Sequence, residues 1–309
     1  MARRQGWVLV LLVLLVSGCG GAAPEPVVPS AGAPATAADP TAATPTPAPS
    51  SVPAPAPSPT GAPAPPDGPD GGQRVAVPVY YVADSPAGRR LQREFHSVVT
   101  DDPASAAVRE MLAAPTGTDP DYRNHWPPGT TLREPVRRDG GAIVVELAGA
   151  RSAPVSAELA ELTVQQLVYT VQGALGSTDP VHIVVDGATE AQLWGAVDTS
   201  GPVARADPYA VRSLVQIDSP ADGTRTGREV EVRGEAAVFE ATVLWEVLRD
   251  GAPVQQGFTS TAEGQRFAPF AFTVTLEPGD YTVRVREDDP SDGEGRPPLS
   301  DDKRITVSG

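Results

Sequence analysis

The sequence predicts an α+β domain over residues 73–200, in which two helices cover one face of a small sheet, followed by an all-β sandwich over residues 213–309. In the first region, apolar residues recur with both the two-residue period of strands and the helical period. In the second region, only short alternating strands separated by turn residues occur. Ahead of both domains, residues 20–72 hold 16 of the 35 prolines and few aliphatic side chains. This stretch cannot offset the entropy lost on ordering, so we predict a disordered tether.

The amino terminus has the features of an export signal. Two arginines precede an unbroken apolar run over residues 7–16, which is too short to span a bilayer. We therefore predict that residues 1–18 are a lipoprotein signal peptide. The ending Val16-Ser17-Gly18-Cys19 resembles the bacterial lipobox, and this resemblance implies that the Cys19 thiol is acylated and begins the mature protein. The alternative is an unmodified thiol in an ordinary signal peptide.

An acylated Cys19 makes the membrane the first predicted partner. Two acyl chains are enough for stable anchoring, on the outer face of the cell membrane. Residues 19–72 then form the tether, which averages about 40 Å as a flexible coil and reaches roughly 160 Å as an extended polyproline helix. A Pro-rich ligand for a recognition domain is the rival interpretation of this segment.

The first domain contains several stretches with strand-like alternation. Apolar side chains alternate over residues 75–81, and a weaker strand is predicted at 90–98. The pair Asp139-Gly140 tolerates the positive φ of a tight turn and predicts a hairpin whose second strand includes residues 143–147. The last strand of the domain is predicted at 181–186.

Two helices are predicted between these strands. The first, residues 103–114, follows Asp102-Pro103, where a capping aspartate precedes a proline at the first helical position. The second, residues 156–176, begins at Ser156, carries a wide apolar stripe and ends at Gly176.

Five segments of this domain resemble the GerMN domain of sporulation and germination proteins. They are VPVYYVAD at 77–84, ASAAVREMLAAP at 104–115, WPPGTTL at 126–132, QLVYTVQGALG at 166–176 and VHIVVDG at 181–187. The resemblance implies a noncatalytic, extracytoplasmic domain that binds proteins and is related to the ring-building domains of sporulation complexes. It does not imply that this protein itself acts in spores.

The second domain is predicted to be an immunoglobulin-like sandwich. A tryptophan on the third strand, Trp245, and Tyr281 at the start of the penultimate strand match the core tryptophan and tyrosine corner of such sandwiches. Asp250-Gly251 predicts a hairpin between two of the strands. The segments 217–220, 232–240 and 245–247 resemble the immunoglobulin-like domain that accompanies GerMN in bacterial spore germination proteins.

Charge and composition exclude several functions. The net charge is −15, and residues 73–309 alone hold 22 basic and 35 acidic residues. This excess of negative charge repels the DNA backbone. We therefore predict no nucleic-acid partner. Lys303 is the single lysine and Cys19 the single cysteine, which leaves almost no candidate for Schiff-base chemistry and none for a disulfide within the chain.

The remaining ionisable residues do not form a recognisable catalytic or metal-binding motif. The histidines at 96, 125 and 182 lack metal-ligand spacing. Asp101-Asp102 and the pair Asp119 and Asp121 fit a helix cap and a turn. The acidic segment 288–294 suggests a calcium loop, but Pro290 stands where an EF-hand needs an oxygen ligand, and a solvated loop is favoured. We predict no enzymatic activity, no metal, no cofactor and no small-molecule substrate.

Strand alternation predicts a surface for a protein partner. If both helices cover one face of the first domain's sheet, the opposite face carries Pro78, Tyr80, Val144, His182 and Val184. An apolar face of this kind indicates contact with an envelope protein, or packing against the sandwich. Glycan binding is the leading alternative function and would use the two remaining candidates for exposed tryptophans, Trp126 and Trp194. An envelope hydrolase is the third and requires distant acidic residues to meet in a cleft.

Overall fold

A computed structural model describes residues 72–151, 156–289 and 293–309, which all belong to one compact unit. The predicted signal peptide, Cys19 and tether lie outside the described residues. Within the described residues, no helix combines the length and apolar character needed to span a membrane.

The first domain begins with a long antiparallel hairpin. Strands β1 (Gln73–Ala83) and β2 (Arg90–Thr100) pair along their whole length, with Pro78 opposite Phe95. Both strands were predicted, and both are longer than the alternation indicated.

A separate sheet is built around a central strand, β5. It consists of β3 (Thr131–Leu132), β4 (Arg137–Asp139), β5 (Ala142–Ala148) and β6 (Val181–Val185). Strand β5 pairs antiparallel with β3 and β4, and parallel with β6. The predicted hairpin at Asp139-Gly140 is confirmed, with φ 56° at Gly140. The short strands β7 (Gln192–Leu193) and β8 (Val197–Asp198) were not predicted.

Both predicted helices of the first domain are present, with their expected caps. Helix α1 (Pro103–Ala113) is capped by Asp102, whose Oδ1 accepts from the Ser105 N–H at 3.1 Å. Helix α2 (Ala157–Leu175) is capped by Ser156 and ends at Gly176, which is left-handed at φ 57°. One core packs these helices against the inward residues of both sheets, including Val79, Ile143 and Ile183.

A short helix and eight strands form the connection and the second domain. In chain order they are α3 (Pro208–Val211), β9 (Val215–Ser219), β10 (Thr224–Thr226), β11 (Glu229–Ala236), β12 (Thr242–Arg249), β13 (Ala252–Ser260), β14 (Ala268–Thr275), β15 (Gly279–Glu287) and β16 (Ser300–Val307). Five strands form one sheet in the order β10-β16-β15-β12-β13, and three form the other in the order β14-β11-β9. The predicted sandwich is confirmed. Helix α3 and strand β10, which were not predicted, span only 4 and 3 residues.

The two diagnostic aromatics of the sandwich have structural positions. The Tyr281 hydroxyl donates to the Glu277 carbonyl at 3.0 Å, as expected of a tyrosine corner. Trp245 is only half-buried and stacks on Phe272, with ring centroids 4.9 Å apart. A side chain at Gly257 would overlap the Trp245 ring, because a Cβ there would lie 2.5 Å from it.

Candidate functional site

The two domains meet directly along strand β2. Leu91 on β2 forms a parallel bridge with Arg212, and the Ser213 N–H donates to the Leu91 carbonyl at 3.0 Å. Strand β9 continues from this point beside β2. The candidate site lies at this junction, because the buried charges of both domains converge there.

Lys303 occupies the centre of a buried group of polar side chains, which we call the lysine cluster: Lys303, Asp119, Tyr122 and Asp301. Its ammonium donates to Asp119 Oδ2 at 2.7 Å, to the Tyr122 hydroxyl at 2.6 Å and to Asp301 Oδ1 at 3.0 Å. The Tyr122 hydroxyl donates to Asp301 Oδ1 at 2.7 Å, and the Ile217 N–H donates to Asp301 Oδ2 at 2.6 Å. Asp119 and Tyr122 belong to the first domain and the others to the sandwich, so the cluster joins the two domains.

The lysine cluster holds its cation firmly in the charged form. Burial disfavours the charged ammonium and lowers the pKa of Lys303. The carboxylates of Asp301 and Asp119 outweigh this effect and raise the pKa above its ordinary value. Burial, reinforced by Asp301, also raises the pKa of Tyr122 well above its ordinary value. Because Nζ is held protonated and its three protons have three acceptors, it has no lone pair with which to attack a carbonyl.

A second group of charges, the arginine network, lies at the same junction. Arg93 on β2 binds the Asp218 carboxylate of β9 through two nitrogens, at 3.1 and 2.7 Å. Glu235 on β11 lies 3.3 Å from Arg93 Nη1 and also accepts from Arg212. With its amide oxygen facing the guanidiniums, Gln216 accepts from Arg93 at 3.1 Å and from Arg212 at 3.2 Å. Each buried charge here therefore has an opposite charge and a directional hydrogen bond.

A third group of charges continues from the lysine cluster into the first domain. Glu94 on β2 accepts from the N–H groups of Thr118 and Asp119 at 2.9 and 2.8 Å. His96 places Nε2 at 3.1 Å from Glu94 Oε2 and Nδ1 at 2.9 Å from Glu110 Oε2. Both ring nitrogens face carboxylate oxygens, an arrangement that suits the doubly protonated imidazolium.

The pKa values in this third group shift in opposite directions. The hydrogen bond to Glu94 raises the pKa of His96 above its ordinary value, against the effect of burial and with help from Glu110. Burial opposes the ionisation of Glu94, but hydrogen bonds from His96 and the two backbone N–H groups prevail and lower its pKa. Each member of the pair therefore favours the charged form of the other.

A groove of about 750 Å³ opens beside the arginine network, and we call it the junction groove. Phe95 of β2 lines one side, while Arg233, Pro269 and Phe270 of the sandwich line the other. Phe95 is 43% exposed; Val99, four residues further along the same face of β2 and outside the groove lining, is 45% exposed. The lining of the junction groove thus combines apolar side chains with the charged Asp218 and Arg233, and both domains contribute to it.

The five residues predicted to face a partner do not form an exposed surface. Tyr80 and Val144 are only 3% and 4% exposed, so the prediction that they are accessible is wrong. Pro78, His182 and Val184 are half-buried. His182 Nε2 lies 3.0 Å from the Thr189 hydroxyl, in the partly exposed position expected for it.

The prediction failed because it assumed one sheet with one covered face. Helix α2 lies along the free edge of β1, where the Tyr80 N–H donates to the Thr170 hydroxyl at 3.0 Å. The Tyr80 ring packs 5.3 Å from the Tyr169 ring, and the guanidinium carbon of Arg212 approaches it at 5.8 Å. Val144 lies on the central strand β5, with neighbours on both edges. The part of the hairpin face that stays accessible is at Phe95 and Val99, on β2.

The tryptophans proposed for sugar stacking are not available as a platform. Trp126 is buried in the core of the first domain, so the prediction that it is exposed is wrong. Trp194 is half-buried and packs edge-on against Trp126, with ring centroids 5.1 Å apart. Its Nε1 donates to the Ala150 carbonyl at 2.7 Å. The glycan interpretation therefore loses the aromatic surface on which it depended.

Asp119 has the turn role that the sequence predicts and also a second role, in the lysine cluster. Asp119 Oδ1 accepts from the Asp121 N–H at 3.0 Å, as in the predicted turn, but its other oxygen binds Lys303. The acidic segment 288–294 lies only partly within the described residues. In the part of the chain that the structure describes, no three histidine, cysteine or acidic side chains are grouped as metal ligands.

Comparison with known proteins identifies both domains. Residues 78–191 match the family described as "Sporulation and spore germination", called Germane, and residues 214–294 match Gmad2, the immunoglobulin-like domain of bacterial spore germination. No curated protein matches the sequence significantly.

Two solved structures are among those similar to the chain. The tandem GerMN domains of the sporulation protein GerM from Bacillus subtilis match with 16% identity and a TM-score of 0.37, over 43% of this chain and 46% of that one. This chain thus spans less than half of the GerM structure. A putative lipoprotein from Clostridium perfringens matches with 15% identity and a TM-score of 0.31, over 45% of this chain and 93% of that one. From the two family matches, the chain contains a GerMN-type sporulation and germination domain followed by the immunoglobulin-like domain of bacterial spore germination.

Proposed function

We propose that this chain is a noncatalytic module that is anchored to the outer face of the cell membrane through Cys19 and binds another protein of the cell envelope at the junction groove. The observation that carries the proposal is that the groove is built jointly by two domains locked together by buried ion pairs. A surface of this kind is presented as one fixed shape, which suits recognition.

The rigidity of the junction follows from the energetics of buried charge. An ammonium or guanidinium loses its hydration on burial, and only well-placed opposite charges compensate for this loss. Lys303 of the sandwich binds Asp119 of the first domain and Asp301 of its own domain. Arg93 of the first domain binds Asp218 of the sandwich. Sliding the domains apart by even a few ångströms would leave these charges unpaired, so the walls of the groove hold their relative positions.

The chemistry of the groove favours a protein partner. The groove places the exposed Phe95 ring near Pro269 and Phe270, together with the charged Asp218 and Arg233. This combination resembles the apolar centre and polar rim of protein interfaces. The guanidinium carbon of Arg93 lies 4.9 Å from the Phe95 ring centroid, which holds the ring in place while leaving it accessible. The titratable groups beside the groove are engaged in ion pairs, which supports recognition rather than acid–base catalysis.

Replacing Cys19 with serine tests the anchor. Because the oxygen of serine cannot form the thioether that carries the diacylglyceryl group, we expect the Cys19→Ser protein to lack labelled fatty acid and to leave the membrane fraction. Cells producing the original chain provide the comparison. Equal incorporation of label into both proteins would contradict the anchoring part of the proposal.

Replacing Phe95 with aspartate tests the partner surface. We expect Phe95→Asp to weaken crosslinking to envelope proteins at least tenfold, because a carboxylate cannot be buried in an apolar contact without a large desolvation cost. Phe239→Asp is the matched control, since Phe239 is also exposed, at 48%, but does not line the groove. Both variants should keep the unfolding midpoint of the original chain. Equal crosslinking by the two variants would remove the junction groove as the binding surface.

A further inference from the structure

One face of the β1–β2 hairpin is open between the junction groove and the point where β1 begins. We call it the hairpin face. Its side chains form three opposite pairs, which are Arg74 with Val99, Ala76 with Ser97, and Pro78 with Phe95. All of them are exposed except Pro78, which is half-buried. The face extends about 20 Å from Gly72 to Pro78, because six residues of a strand rise about 3.4 Å each. Phe95 at its far end lines the junction groove.

The chain enters the hairpin face at the end opposite the groove. A Cβ placed on Gly72 would lie 3.1 Å from Val99 Cγ1, so the residues before Gly72 leave the fold beside Val99. In the sequence these residues are Pro63-Ala64-Pro65-Pro66-Asp67-Gly68-Pro69-Asp70-Gly71. An aspartate followed by two glycines favours a turn, since glycine readily adopts the positive φ of a chain reversal. The sequence therefore provides a reversal where the hairpin face begins.

We propose that residues 63–70 fold back along the hairpin face and cover Phe95, so that the chain's own tether closes this end of the junction groove. The length of the segment fits the face. A polyproline helix rises about 3.1 Å per residue, so the six steps from Pro69 to Pro63 span about 19 Å. After a reversal at residues 70–72, this span reaches from Val99 to Phe95.

The apolar chemistry of the segment matches the far end of the hairpin face. Proline-rich segments in the polyproline conformation dock onto aromatic surfaces, because they are already extended and lose little entropy on binding. Phe95 offers such a surface, and Pro269 and Phe270 line the groove with it. The prolines at 63, 65 and 66 are the part of the segment that reaches Phe95.

The charges of the segment match the near end of the face. Arg74 is exposed and has no carboxylate partner among the described residues; its guanidinium reaches the Ser97 hydroxyl at 3.5 Å. In the proposed path, Asp70 lies in the reversal and Asp67 lies beyond Arg74, so the two carboxylates are on either side of this cation. The rest of the chain is strongly acidic, with a net charge of −15, and offers an acidic segment few unpaired cations.

Covalent connection favours this segment over a separate ligand. A short flexible connection gives the segment an effective concentration in the millimolar range. A contact with a dissociation constant near 1 mM is then formed about half of the time, whereas a separate ligand would need that concentration in solution. If the junction groove binds an envelope protein, as proposed above, that protein must displace residues 63–70 to reach Phe95. This regulatory step rests on the proposed function, but the contact itself does not.

Thiol labelling of the purified full chain tests the contact without a partner. Cys19→Ser removes the only thiol, and Ser97→Cys then places one in the middle of the hairpin face. Serine lacks the fixed φ of proline, so a variant with serine at three prolines should lose its polyproline conformation and uncover the thiol. We expect labelling by a soluble maleimide to become at least twofold faster when the following are replaced together: Pro63, Pro65 and Pro66.

The matched control makes the same change further from the fold, with serine in place of Pro53, Pro55 and Pro57. This variant should label at the original rate. Equal labelling rates in the two triple variants would overturn the proposal. Protection of the thiol that increases with chain concentration would also overturn it, because a second copy rather than the chain's own segment would then cover the face.

Reversing one charge tests the path of the segment. We expect Arg74→Glu to speed labelling of the Ser97→Cys thiol at low salt, because Asp67 and Asp70 would then face a like charge. Arg225→Glu is the control, since Arg225 is an exposed arginine on β10 of the sandwich. Equal labelling rates in the two variants would show that residues 67–70 do not run past Arg74.

Crosslinking to envelope proteins separates this inference from the proposed function. The variant with serine at positions 63, 65 and 66 should crosslink more strongly than the control with serine at 53, 55 and 57, because its groove is uncovered. If labelling responds as expected but Phe95→Asp leaves crosslinking unchanged, the tether contact stands and the partner site is wrong. If labelling does not respond but Phe95→Asp weakens crosslinking, the partner site stands and the tether contact is wrong.

Discussion

Replacing Lys303 with methionine is expected to lower the free energy of unfolding by about 3–5 kcal/mol. The substitution keeps the length of the side chain but leaves Asp119 and Asp301 buried without their cation, and the Tyr122 hydroxyl without one partner. Two uncompensated carboxylates then either repel each other across the domain junction or take up protons at a cost in free energy. The midpoint of urea unfolding measures the effect, and lost protection of residues near the junction in hydrogen exchange would locate it.

A surface pair of the same domain provides the control for Lys303→Met. Arg228 and Glu277 form an exposed ion pair, so Arg228→Met should change stability by about 0–1 kcal/mol. Adding Asp119→Asn to Lys303→Met should recover part of the loss, since one of the stranded charges is removed. If Lys303→Met costs no more than Arg228→Met, the lysine cluster does not hold the two domains together.

Local sequence signals were enough to predict most of the secondary structure. Asp102, Ser156 and Gly176 act through backbone groups within a few residues of themselves, and all three were found in their predicted roles. The turn at Asp139-Gly140 was predictable for the same reason. Elements with only two to four residues, such as β7, β8 and α3, were missed because so few residues carry no period.

The candidate site could not be predicted in the same way, because its partners are far apart in the sequence. Asp119 illustrates the difference. Its Oδ1 serves the local turn that the sequence indicated, whereas its Oδ2 binds Lys303, 184 positions away. Nothing near Lys303 in the sequence distinguishes it from the 23 arginines as the cation buried at the junction.

The predicted partner face failed for a related reason. Alternation along β1 correctly separated Val77 and Val79 from Tyr80, but it could not show that α2 contributes side chains to both sides of the strand. The predicted alternatives were an external partner or packing within the chain, and Tyr80 is covered by the chain itself. The hairpin nevertheless keeps two accessible apolar side chains, Phe95, which lines the junction groove, and Val99 further along β2.

The stability of the chain is expected to decline as pH rises above about 6.5, through the titration of His96. The pKa of His96 is raised in the folded state, so its stabilising contribution is complete below the unfolded value and is lost as pH rises through the folded value. Glu94 has the opposite sign: its pKa is lowered on folding, so its contribution is lost in acid. Together, Glu94 and His96 define a plateau between about pH 4.5 and 6.5, where both are charged in the folded and unfolded states.

The urea midpoint measured from pH 5 to 8.5 tests this in the original chain and in His96→Gln. Glutamine can still donate to one carboxylate but cannot lose a proton, so the decline above pH 6.5 should flatten in this variant. His182→Gln is the matched control, because it removes a histidine whose hydrogen bond is to the neutral Thr189 hydroxyl rather than to a carboxylate. His125 acts in the other direction, because burial lowers its pKa and it destabilises the fold as pH falls. The difference between the two variants therefore isolates His96, and an undiminished alkaline decline in His96→Gln would show that the imidazolium between Glu94 and Glu110 is not its source.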